Sequence, residues 1–125
     1  MIRRINQVGL SLSVLIFLAC GPAVPELKDV DLTAWKSDRE ACLGDRTGMA
    51  EAIVDQKNKL LGLSEMDVIN LLGKPDRNEL YSRNQKFYHY FLDPSAQCAS
   101  PDSIPRMLSL RFNAVGLVQE AAVER

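Results

Sequence analysis

The side chains able to do chemistry are few. Cys20, Cys42 and Cys98 are the three cysteines of this 125-residue chain, and His89 is its one histidine. A metal site drawn from Cys42, Cys98 and His89 would be their most demanding use, but no C-x-x-C or H-x-x-x-H spacing is present to hold paired ligands. A thiol nucleophile beside His89 is a second use, and a packed imidazole on an aromatic strand is a third. A disulfide needs only an oxidising compartment, and an odd cysteine count leaves one thiol over. Gly44, Gly48, Gly62 and Gly73 each fit a local turn or helix end, so none is left to build a phosphate-cradling loop. The inventory predicts a protein that is not an enzyme, with no cofactor and no bound metal.

The compartment is written at the N-terminus. Arg3 and Arg4 precede the apolar stretch Val8–Ala19, which has the order of a secretory signal. As a helix that stretch would span roughly 18 Å, short of the ~30 Å hydrocarbon core of a bilayer. Phe17-Leu18-Ala19-Cys20 resembles a bacterial lipobox: a hydrophobic residue, a variable one and a small one before a lipidated cysteine. The resemblance implies a signal peptide over 1–19 and fatty acylation (palmitate or a similar chain) at Cys20. Two or more acyl chains, at about 0.8 kcal/mol per buried methylene, hold a protein on a membrane where one does not. Cleavage after Ala23, leaving an unlipidated periplasmic protein, is the alternative. Gly21 rather than Asp after the cysteine resembles the outer-membrane default, so the expected location is the outer membrane, lipid-anchored and facing the periplasm. With Cys20 acylated, Cys42 and Cys98 remain, and an oxidising periplasm predicts that they pair.

Composition narrows the partners. Hydrophobic residues make up 46% and charged residues 25% of the chain, which excludes wholesale disorder and fits one domain. Fifteen Lys and Arg against sixteen Asp and Glu leave a net charge of −1, with no basic excess to neutralise a nucleic-acid backbone. The expected partners are the membrane, through the N-terminal lipid, and an envelope protein.

Residues 20–30, with Pro22 and Pro25 and no helical period, read as the lipidated cysteine and an extended tether; residues 31–125 read as a single domain. A short helix is expected from about Thr33, carrying Trp35 either as core or as an anchor for a partner. Lys36, Asp38, Arg39, Glu40, Asp45 and Arg46 read as a mixed-sign solvated surface. Leu43–Thr47 reads as a break, and Met49–Leu61 as a helix ended by Gly62. Ser64 then reads as an N-cap with Asp67 three residues on, Leu63 and Val68 as a hydrophobic staple, and Gly73-Lys74-Pro75 as the stop of a short amphipathic helix. After Pro75 the period changes to two. Asn78–Arg83 is a weak strand, Ser82–Gln85 a turn, and Phe87–Leu92 a strong strand with Phe87, His89 and Phe91 on one face. A Pro-rich loop carries Cys98, and Met107–Phe112 and Leu117–Val123 form a last hairpin about Asn113–Gly116. Helices followed by strands predict α+β: two to three N-terminal helices packed on a three- to four-stranded antiparallel sheet.

The stretch Leu61–Asp76 fits the pattern G-[ML]-[ST]-x-x-[EDQ]-V-x-x-L-L-G-x-P from Gly62 to Pro75. With the aromatic strand Phe87–Leu92 and the run Leu108–Val118, it resembles the SmpA/OmlA (BamE-like) family of small outer-membrane lipoproteins. The likeness covers roughly residues 61–121. It implies two helices followed by a three-stranded antiparallel sheet, a fold shared with β-lactamase-inhibitor-like modules. It also implies a protein-interaction module supporting outer-membrane assembly or integrity; the alternative is a stand-alone periplasmic binding or inhibitor module using its sheet face. Tyr81, Tyr88 and Tyr90, with Trp35, are the candidate contact residues, because aromatic side chains supply large interfacial area at little entropic cost.

Overall fold

Helices precede strands along the chain, as the change of period at Pro75 predicts. The computed structural model describes residues 24–98 and 104–125. The expected signal segment, the expected lipobox with Cys20 and the middle of the Pro-rich loop lie outside the described residues. Helix α1 (Leu32–Ser37) starts where Asp31 accepts the backbone N–H groups of Thr33 and Ala34. Helix α2 (Asp45–Asp55) is followed by a 3-10 turn, Lys57–Leu60, and α3 (Glu65–Leu72) carries the expected Ser64–Asp67 capping box. Strands β1 (Arg77–Tyr81), β2 (Gln85–Phe91), β3 (Met107–Phe112) and β4 (Val118–Glu124) form an antiparallel sheet in chain order. The class is α+β.

Several boundaries differ from expectation, and the helix expected to run to Leu61 ends at Asp55, with the 3-10 turn after it. Helix α2 begins at Asp45 rather than Met49, so Leu43–Thr47 is not a full break. The buried Asp38 carboxylate accepts N–H groups from Leu43 at 2.6 Å and Arg46 at 2.9 Å, which starts the helix early and carries it through Gly48. The tether is also shorter than 20–30. Leu27 is buried in the core, and Gln56 brackets Lys28 by donating to its carbonyl and accepting from its N–H, both at 2.7 Å.

Strand register sorts the side chains onto two faces. Tyr88 pairs with Leu110 and Tyr90 with Leu108, and these meet Trp35, Ile53, Val68 and Leu72 from the helices in one core. Helix α3 ends against α1: the indole of Trp35 donates to Leu72 O, Lys36 Nζ to Asn70 O, and Tyr90 Oη to Gly73 O. Three carbonyls that a helix C-terminus leaves without intrahelical partners are thereby satisfied. Cys42 and Cys98 form a disulfide with a sequence separation of 56, joining the turn after α1 to the loop after β2.

Charged residues read as a solvated surface are partly interior. Arg46 and Asp76 form an ion pair at 2.5 Å with both side chains fully buried. Asp76 also accepts from the N–H groups of Glu40 and Phe91, while Arg46 Nε donates to Trp35 O and its guanidinium lies 4.6 Å from the Trp35 ring centroid. Asp38 and Arg46 therefore belong to the core that locks α1 and α2 onto β2. Neither is part of a wetted face.

Candidate functional site

The helices pack on the sheet face that carries Tyr88 and Tyr90, and the opposite face gathers polar and aromatic groups from all four strands. Parity along the strands places Arg77, Glu79 and Tyr81 of β1 beside Phe87 and His89 of β2. The same parity continues through Met107 and Ser109 of β3 to Ala122 and Glu124 of β4. Between them lies an open concavity of about 530 Å³ lined by Glu79, Tyr81, Phe87, His89, Met107 and Glu124, with Ser82 and Gln85 at its margin.

A chain of hydrogen bonds crosses this face. Tyr81 Oη donates to Glu79 Oε2 at 2.5 Å, His89 Nε2 meets the same oxygen at 3.1 Å, His89 Nδ1 meets Ser109 Oγ at 2.6 Å, and Ser109 Oγ donates to Glu124 Oε2 at 2.9 Å. The Phe87 ring stacks on the imidazole at 5.9 Å and receives Tyr81 edge-on at 5.1 Å. His89 and Ser109 are buried by these neighbours, while Glu79 and Tyr81 stay open to solvent. The Tyr81 hydroxyl bond, with that of His89 second, lowers the Glu79 pKa. The Tyr81 pKa is raised in turn, by Glu79 first and by the more distant charge of Glu124 last.

Serine, histidine and carboxylate in hydrogen-bond sequence suggest a nucleophile, but the direction of the bonds opposes it. Ser109 has one proton, and donating it to Glu124 makes Oγ the acceptor of an N–H at His89 Nδ1. A general base must receive the hydroxyl proton, and Nδ1 in that state cannot. The arrangement instead fixes two carboxylates in place, one near each edge of the sheet.

The structure separates the aromatic residues singled out as contacts. Tyr81 is 53% exposed and lies in the concavity, whereas Trp35 and Tyr90 are 0% and Tyr88 4% exposed. Trp35, Tyr88 and Tyr90 are corrected to core residues: alternation sends both β2 tyrosines toward the helices, and Trp35 is held by its bond to the end of α3. Glu79, Ser109 and Glu124 were not singled out from sequence, although the hairpin turn and the strand parity together place them beside His89. No family model matches the chain, and no curated protein or solved structure matches it either. Among the described residues, no helix is long and apolar enough to cross a membrane.

Proposed function

We propose that this chain is a non-enzymatic, lipid-anchored recognition module of the bacterial envelope, held at the outer membrane by acylated Cys20 and facing the periplasm. In the manner of the SmpA/OmlA family it resembles, it binds an envelope protein and supports outer-membrane assembly or integrity. The observation that carries this reading is a sheet packed by helices on one face, whose other face holds a fixed array of Tyr81, Glu79, His89, Ser109 and Glu124 around an open concavity. The lipobox resemblance and a disulfide suited to an oxidising compartment support the location.

The test is photo-crosslinking in living cells, with the full chain carrying a photoreactive residue at Tyr81 and, as a control, at exposed Asn58 on the helical side. The expected result is an adduct with an envelope protein from the Tyr81 position alone. It should depend on Cys20, disappearing when Cys20→Ala releases the protein. Absence of an adduct, or equal adducts from both positions, overturns the assignment of this face.

A further inference from the structure

The concavity on the open face has an unbalanced charge. Glu79 and Glu124 line it, and among the described residues lining it there is no lysine or arginine. Two guanidinium groups of the same face are engaged elsewhere: Arg77 bonds Glu40 at 2.7 Å and Arg111 bonds Glu120 at 2.9 Å.

The two carboxylates are also held ready. Each engages one oxygen, Oε2, with the face itself: Glu79 accepts from the Tyr81 hydroxyl, with His89 Nε2 at 3.1 Å from the same oxygen, and Glu124 accepts from Ser109. Each leaves its Oε1 without a hydrogen bond from any described residue. A glutamate on a sheet surface ordinarily loses rotamer entropy when it grips a ligand, and here the tyrosine, histidine and serine bonds have already removed that freedom. Apolar surface lies beside the acceptors, in the rings of Phe87 and Tyr81 and the thioether of Met107. Two preset acceptors, net negative charge and a hydrocarbon wall match a planar cation on an alkyl stem. A bare metal ion fits less well: the described residues contain no group of three or more side chains that could hold one.

Resting on the reading of this face as a protein-recognition surface, we infer that the concavity receives an arginine side chain of the partner protein. Its guanidinium hydrogen-bonds Glu79, Glu124 adds negative charge from across the concavity, and its methylenes lie against Phe87, Tyr81 and Met107. Arginine suits the site better than lysine, because its planar fork offers donors on several sides at once and stacks on aromatic rings.

The probe is a short fluorescent peptide with one central arginine between glycines. Its anisotropy is followed against the full, lipidated chain in phosphatidylcholine nanodiscs, whose neutral headgroups do not compete. Saturable binding is expected, weakened about fivefold or more by Glu79→Gln or Glu124→Gln and weakened by added salt. The same peptide with citrulline in place of arginine should show no saturable binding. Both glutamates are exposed, so their variants are expected to fold, which circular dichroism checks directly. Tyr81→Phe, which removes only the hydroxyl that steadies Glu79, should weaken binding less than Glu79→Gln. Equal binding of the citrulline peptide, affinity unchanged in both glutamine variants, or no saturable binding overturns the inference. Failure of the peptide together with a Tyr81 photo-adduct overturns the arginine site and leaves the recognition face standing. Glutamate-dependent peptide binding without any adduct keeps the site and removes the protein partner.

Discussion

Asp76→Asn tests the central claim about what holds this domain together. The side chains of Asp76 and Arg46 are both fully buried and paired at 2.5 Å. With the charge at Asp76 removed, the Arg46 guanidinium keeps the carbonyls of Trp35 and Phe91 and, at position 76, only a neutral amide oxygen, and one of its terminal nitrogens already lacks a hydrogen-bond partner. Removing one member of a buried pair costs about 3–5 kcal/mol, because the other charge is left uncompensated. A domain of this size has about 5–15 kcal/mol in total, so Asp76→Asn is expected to sit near the unfolding threshold. Arg46→Met should cost less, about 2–3 kcal/mol, by leaving a buried carboxylate that retains part of its partners. Those partners are the N–H groups of Glu40 and Phe91 and the Arg39 Nε at 3.7 Å. The double variant should be more stable than the sum of the two losses by about 1–3 kcal/mol. Urea titration followed by tryptophan fluorescence measures all three, since the only tryptophan, Trp35, packs against this guanidinium at 4.6 Å. A loss below about 1 kcal/mol for Asp76→Asn, or losses that add within about 0.5 kcal/mol, would refute the argument.

Other consequences can be measured on the same protein. Replacing Cys42 and Cys98 by Ala releases a loop with a sequence separation of 56. The chain-entropy relation then gives a loss of about 4 kcal/mol, read as a lower urea midpoint that reductant no longer changes. Gly73 ends α3 at φ 81° and ψ −178°, and a Cβ there would lie 3.1 Å from Lys36 Cγ. Gly73→Ala should therefore cost about 1–3 kcal/mol, nearly all of it backbone strain, with Lys36→Ala giving little relief in the same titration. The Arg106 side chain bonds Asp93 and lowers its pKa, as Lys86 does for Glu65. A depressed carboxylate adds stability that is fully present above its unfolded pKa and is lost as pH falls through the folded value. Urea midpoints should hold steady from about pH 7 to 5 and fall below about pH 4, less steeply in Asp93→Asn; a decline that begins above pH 5 would contradict this.

Local structure was legible because it is set by near neighbours. Ser64, Asp67 and Gly73 bound α3 through backbone N–H capping and a positive φ, and both are properties of a few adjacent residues. Alternation in Phe87–Leu92 and Met107–Phe112 specified which side chains share a face, and that parity already put His89 opposite Tyr88 and Tyr90. The cysteine count, once Cys20 is set aside on its resemblance to a lipobox cysteine, left one pairing, and the disulfide is the pairing formed. The early start of α2 was not legible: it follows from the carboxylate of Asp38, folded back over the turn onto N–H groups five and eight residues away.

Sequence alone thus determined the class of fold, the capped helix, the strand parities and the disulfide pairing, each through short-range sterics, hydrogen bonding or counting. Only the tertiary structure decided which charges are interior and which aromatics are available. A charge run looks the same whether it is wet or buried, and Arg46 becomes core only because Asp76, thirty residues on, closes the pair. The open face was likewise decided by register: Glu79, His89, Ser109 and Glu124 come from four different strands, and their contact exists only once those strands pair.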